Sequence, residues 1–198
     1  KVKNPIAGIR GALQVITARM PAVQFNRAAL TEINTRLDAL NRIVQDMLTF
    51  SRPRALSNEP IALGALVSDT ASMITLDPSM QNIEIAVSGS GDISGDRGML
   101  QVVFQNILMN AAQAMEGQGR IDVTISQAIE GYRVVVSDRG PGMPEEVRER
   151  AFDAFFTTKH RGTGLGLPIA RHVVEAHGGT IQIEVPDTGG TRVSVELP

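Results

Sequence analysis

Three groups of residues in this chain have the types and spacing for polar chemistry. Asn106 and Asn110 lie four apart in the run Met99 to Met115, Asp138-Arg-Gly-Pro-Gly-Met143 follows an apolar run, and Thr157-Thr-Lys159 leads into Gly162-Thr-Gly-Leu-Gly-Leu167. Glycine-rich turns let a backbone approach a ligand with no Cβ in the way, and free N–H groups at a helix start attract anions, most naturally phosphates. Asparagine is a mediocre helix former that costs desolvation when buried, so two on one helical face need a polar partner. A side-chain carbonyl is a hard oxygen ligand, and Mg²⁺ is held by one or two protein oxygens together with waters and substrate phosphates. The combination points to a nucleotide site with Asn110 as metal ligand. Two familiar phosphate motifs do not fit. A P-loop would need Lys-Ser/Thr after its last glycine, where Leu167-Pro168 stands, and a dinucleotide fold would place its glycines on the first strand-helix turn of a βαβ unit.

The elements that must position these residues are legible in the hydrophobic spacing. Apolar residues at 100, 103, 104, 107, 108 and 111 predict a helix over 99–115, with both asparagines on one face. The β-branched run Tyr132 to Ser137 predicts a buried strand ending at Asp138. Pro168 to His177 has helical spacing and a stop at Gly178-Gly179, so Gly162 to Gly166 opens a helix. His172 and His177 are expected to be structural. Elsewhere Leu63–Ile74 reads as a helix, Ile83–Val87 as an alternating strand, and Ser88–Asp96 as a turn-rich crossing; Ile121–Ile125, Thr180–Val185 and Thr191–Leu197 read as strands. This mixture suggests an α/β sandwich, one mixed sheet with helices on one face.

Residues 1–53 read as a separate unit. Ile6, Ile9, Leu13 and Ile16, then Leu30, Ile33, Leu37, Leu40, Val44 and Met47, form a heptad seam on two helices broken near Met20-Pro21. Two such helices cannot cover both stripes alone, so a homodimeric four-helix bundle is expected, the alternative being a hairpin packed on its own downstream domain. The proline-bearing stretch Ser51–Pro60 supplies the linker, placed at 54–60, and leaves 61–198 for the second domain.

Four segments occur together in an order and spacing that resemble the N, G1, F and G2 boxes of sensor histidine kinases. They are Asn106-Ile-Leu-Met-Asn110-Ala, Asp138-Arg-Gly140-Pro-Gly142-Met, Phe152-Asp-Ala-Phe-Phe-Thr-Thr-Lys159 and Gly162-Thr-Gly-Leu-Gly-Leu167. Phe-Phe-Thr-Thr-Lys and Glu-Ala-His-Gly-Gly are most similar to the nitrogen-regulation type. The resemblance implies an α+β architecture: a dimeric four-helix bundle followed by an ATP-binding sandwich of the histidine kinase and gyrase type. It also implies ATP and Mg²⁺ as cofactors and an aspartate of a response regulator receiver domain as phosphoryl acceptor. By the same resemblance Asp138 accepts from the adenine amino group, Gly140 and Gly142 let the chain pass close to the base, and Thr191 reaches the adenine from the last strand. Asn106 belongs to the nucleotide site, and Asn110 holds the Mg²⁺. Lys159, with His160 and Arg161, neutralises phosphate charge, while Thr163, Gly164, Leu165 and Gly166 offer backbone N–H groups. Phe152, Phe155 and Phe156 would pin a lid between the glycine clusters.

Lys3-Asn4-Pro5 aligns with the family's phosphoacceptor motif and puts the histidine one position before Lys1. Lys1 then stands where the family carries Glu or Asp, the carboxylate that would act as base toward the imidazole. Asn4, one turn on, would orient water for dephosphorylating the regulator. The chain of 198 residues carries net charge −2 and no cysteine, so it holds no disulfide and no thiolate metal site. Scattered basic residues argue against a nucleic-acid surface. No run of twenty apolar residues and no signal peptide is visible, which suggests a cytoplasmic piece of a longer protein without membrane contact of its own, any sensor or membrane anchor lying upstream. The competing classes are a gyrase- or chaperone-type ATPase, a kinase-like scaffold without kinase activity, and a serine kinase of the anti-sigma kind.

Overall fold

The computed structural model describes residues 56–159 and 162–198. The expectations for the hairpin over 1–53, including Asn4, and for His160 and Arg161 lie outside the described residues. The chain divides into two compact units at Arg52 and Pro53, and all described residues belong to the second. In order they form β1 (Glu59–Ala62), α1 (Leu63–Thr75), a 3-10 turn (Pro78–Met80), β2 (Asn82–Ser88), β3 (Asp92–Gly95), α2 (Arg97–Ala114), β4 (Gln118–Gln127) and β5 (Tyr132–Ser137). Then come the short α3 (Glu145–Glu149), α4 (Gly166–Ala176), β6 (Thr180–Glu184) and β7 (Arg192–Leu197).

Five strands make one mixed sheet in the order β2-β4-β5-β7-β6. β2 pairs with β4 in parallel, with α2 in the crossover between them, and the remaining pairs are antiparallel. Alternation decides which face is covered. Ile121, Val123, Ile125, Val134, Val136, Val195 and Leu197 are buried, and they meet α1, α2 and α4 in one core. Every apolar position that predicted α2 is buried, with Phe104 fully enclosed. Asp96 caps this helix by accepting the Met99 N–H at 3.1 Å. His177 fills the structural role expected of it: its Nδ1 donates to the Val173 carbonyl at 2.7 Å and its Nε2 accepts the Asp96 N–H at 3.0 Å. α4 ends in a glycine-based stop, with Gly178 at φ +76° and the Gly179 N–H bonded to the Val174 carbonyl.

Two segments differ from expectation. Asp92–Gly95, read as a turn-rich crossing, is a strand, and it pairs with Glu59–Ala62 in a separate two-stranded sheet. Glu59 and Pro60 therefore belong to β1 rather than to the linker over 54–60. Pro60 is tolerated because β1 has a partner on one side only.

Candidate functional site

Asn106, Asn110 and Ala114 follow one another at intervals of four along α2 and so share one face. Each meets a different one of the other segments. A Cβ on Gly166, the first residue of α4, would lie 2.9 Å from Asn106 Oδ1. Lys159 Nζ donates to Asn110 Oδ1 at 2.8 Å. A Cβ on Gly140 would lie 3.3 Å from the Ala114 Cβ and 3.0 Å from Asp138 Oδ1. One helical stripe thus gathers three segments from the later half of the chain.

At the Asp138 end, Oδ1 accepts the N–H groups of Gly140 at 2.9 Å and Thr191 at 3.0 Å, and the Asp138 N–H donates to the Thr191 carbonyl. Oδ2 receives no hydrogen bond from the described residues. The Thr191 hydroxyl makes none either, although the residue is only 7% exposed. Both residues line a cavity of about 330 Å³ formed by Ser137–Gly140, Pro186 and Thr188–Arg192, a volume at the small end of ligand sites. A half-buried acceptor and a buried hydroxyl left open at such a cavity suit the amino-bearing edge of a planar base. Gly142, at φ +79°, turns the chain beside Val185 and Gly190. The cavity takes in neither Asn106, Asn110 nor Lys159, so the two ends of the site are joined along α2 rather than by one hollow.

At the other end Asn106 Nδ2 donates back to the Val102 carbonyl at 3.0 Å, which fixes the carboxamide and leaves Oδ1 toward Gly166. α4 starts with no side-chain cap, so its first N–H groups at Gly166 and Leu167 lack intrahelical partners and face the anion-attracting end of the helix dipole. The Leu165 amide, expected among the phosphate donors, is instead engaged by Thr163 Oγ1 at 3.3 Å, and the Leu165 side chain is buried as an anchor. Gly164 holds φ +65° and accepts the Phe155 N–H at 2.9 Å, closing the segment between the two glycine clusters. Of the three phenylalanines, Phe156 lies under the Arg150 guanidinium at 4.1 Å and Phe152 under Arg171 at 5.5 Å. Phe155 does not pin the segment as expected: it is 61% exposed, on a left-handed backbone with φ +68°.

Lys159 contributes a second contact that the sequence did not single out, since Nζ also donates to Gln113 Oε1 at 2.8 Å. The residue as a whole is exposed, yet its ammonium is sunk between two carboxamides, and that desolvation lowers its pKa below the ordinary lysine value. The ammonium tests the metal assignment, because it is a cation seated on Asn110 Oδ1. Among the described residues no three His, Cys, Asp or Glu side chains converge as a metal cage. A cation here would therefore share Asn110 with phosphate oxygens and water, as Mg²⁺ does at nucleotide sites. No helix among the described residues is long and apolar enough to cross a membrane.

Fold and site together define an α/β sandwich with a candidate nucleotide site, preceded in the chain by a separate unit over Lys1–Arg52. Residues 95–198 match the family of histidine kinase-, DNA gyrase B- and HSP90-like ATPases, and residues 1–56 match the His Kinase A phospho-acceptor domain. The chain belongs to that ATPase family, on its sensor histidine kinase branch. It is 31% identical to the sensor histidine kinase ZraS of Escherichia coli O157:H7, over the whole of this chain and 44% of that protein. Among solved structures, full-length ShkA in complex with AMPPNP is 28% identical with a TM-score of 0.83, over 98% of this chain and 43% of that one. Histidine kinase ThkA in complex with the response regulator TrrA is 26% identical with a TM-score of 0.74, over 100% of this chain and 59% of ThkA. The chain spans under half the length of the curated relatives it matches.

Proposed function

We propose that the chain is the core of a protein-histidine kinase that moves the γ-phosphoryl group of ATP to a histidine on the helical unit, just ahead of Lys1. From there the group passes to an aspartate of a response regulator receiver domain, and Asn4 orients the water that hydrolyses that aspartyl phosphate in a separate phosphatase reaction. The observation that carries this reading is the α2 stripe, on which Asn106, Asn110 and Ala114 meet Gly166, Lys159 and Gly140 in turn. Phosphoryl transfer is mostly positioning and charge neutralisation, and these contacts supply both. Asp138 and Thr191 hold the base at the cavity, the α4 start receives phosphate oxygens, and Lys159 offsets their charge. Asn110 would hold a Mg²⁺ ion, which would supply charge neutralisation at the phosphates. The heptad seam and the phospho-acceptor match over residues 1–56 support a homodimer. The ShkA and ThkA likenesses support an adenine nucleotide and a receiver domain as partners.

Calorimetric titration with AMPPNP, with and without Mg²⁺, is expected to give binding that strengthens with the metal. The whole protein incubated with labelled ATP is expected to carry an acid-labile, base-stable phosphoryl group that a receiver domain removes. Absence of binding heat would overturn the nucleotide reading. Steady multiple-turnover hydrolysis with no phosphohistidine would reassign the chain to the gyrase-type ATPases.

A further inference from the structure

Lys159 sits at the same 2.8 Å from two acceptors, Asn110 Oδ1 and Gln113 Oε1, which are adjacent on α2 at i and i+3. Its backbone is held independently of those contacts. The Lys159 N–H donates to Thr157 Oγ1 at 3.1 Å and its carbonyl accepts the Gly162 N–H at 3.1 Å, inside the loop closed by the Phe155 to Gly164 hydrogen bond. The ammonium is thus delivered to α2 by a residue whose backbone N–H and carbonyl are both hydrogen-bonded. It occupies the very oxygen assigned above to Mg²⁺. An ion bound there at about 2.1 Å would stand within roughly 4–5 Å of an ammonium kept on the same oxygen, two like charges in a partly desolvated site. Sharing Asn110 Oδ1 would set these like charges against each other, so binding of the ion favours release of the ammonium.

We propose that Gln113 is a positioning residue that holds Lys159 across the metal-ligating oxygen of the nucleotide-free site, so that the arriving magnesium nucleotide must displace the ammonium and turn it toward the phosphates. The proposal rests on the reading of Asn110 as metal ligand. It gives Gln113 a role distinct from binding: its amide oxygen accepts from the ammonium without adding a negative charge that would trap it. The latch competes with ligand, so loosening it strengthens ligand binding, the reverse of what loss of a ligand contact does.

The test uses the full chain and two readouts. In Gln113→Ala the Kd for Mg·AMPPNP is expected to tighten about three- to tenfold, the worth of one hydrogen bond to a charged group at a partly exposed site. With metal and nucleotide absent, acylation of the Lys159 amine, mapped by mass spectrometry, is expected to rise in the same variant. In a Lys159→Met background, Gln113→Ala is expected to leave the Kd unchanged. Alanine suits an exposed helical position, so the fold tolerates the change. A Kd that weakens or stays the same in Gln113→Ala, or labelling that does not rise, would overturn the latch. Absence of Mg·AMPPNP binding by the parent chain would overturn the ATP reading itself, a separate outcome.

Discussion

Asp138 divides its carboxylate between two tasks, with Oδ1 committed to the Gly140 and Thr191 amides and Oδ2 open to the cavity. Asp138→Asn can keep the committed oxygen, but it presents an amide N–H where an adenine amino group would need an acceptor. Adenine affinity is expected to fall about ten- to a hundredfold with the fold intact, and the preference over guanine nucleotides is expected to vanish; competitive titration with both nucleotides checks it. Asn110→Ala is expected to remove only the metal-dependent part of binding, so AMPPNP titrations with Mg²⁺ and with EDTA should coincide. Any remaining gain from Mg²⁺ would refute Asn110 as ligand. Both residues were legible because each breaks a local rule: a carboxylate follows an apolar strand, and paired asparagines occupy a helix with no local use for them. Gln113 breaks no rule, since an exposed glutamine is ordinary on a helix. Its significance depends on a lysine 46 residues away, which no local pattern reports.

Among the elements, α2 was the most legible and carries the most. Its 3.6-residue spacing sets one stripe into the core and leaves Asn106, Asn110 and Ala114 for the site. Truncating the core side disturbs the other side only through loss of the helix, so Phe104→Ala is expected to cost about 3–5 kcal/mol of stability, read as a lowered denaturant midpoint at unchanged slope. The loop from Phe155 to Gly164 should behave in the opposite way. Ala at 164 would have to hold φ +65° with its Cβ 2.5 Å from the Phe155 carbonyl carbon. Since that loop contributes little to the core, Gly164→Ala is expected to weaken nucleotide binding several-fold while moving the global midpoint far less than Phe104→Ala does. β1 and β3 escaped the sequence reading for a physical reason. Each has only four residues, one contains proline and the other glycine, and neither has a reason to be extended except the other, so their pairing is a tertiary event.

At the scale of the molecule, the nucleotide end depends on residues within one unit. Among the described residues the core runs from Ile61 to Leu197 without a break, and the contacts that define the site join positions between Asn106 and Thr191. The second unit therefore has what independent folding requires: its own apolar core and a continuous five-stranded hydrogen-bonded sheet. A fragment of residues 56–198 is expected to unfold cooperatively and to bind Mg·AMPPNP within about twofold of the full chain. Nucleotide at a hundred times its Kd should raise the fragment's stability by about 2.7 kcal/mol, since it binds only the folded state. Calorimetry on fragment and full chain, beside thermal melts with and without ligand, tests both figures. Loss of affinity by tenfold or more in the fragment would mean that residues 1–55 help to shape the pocket. Matched affinities would assign the leading residues to presenting and receiving the phosphoryl group rather than to gripping the nucleotide.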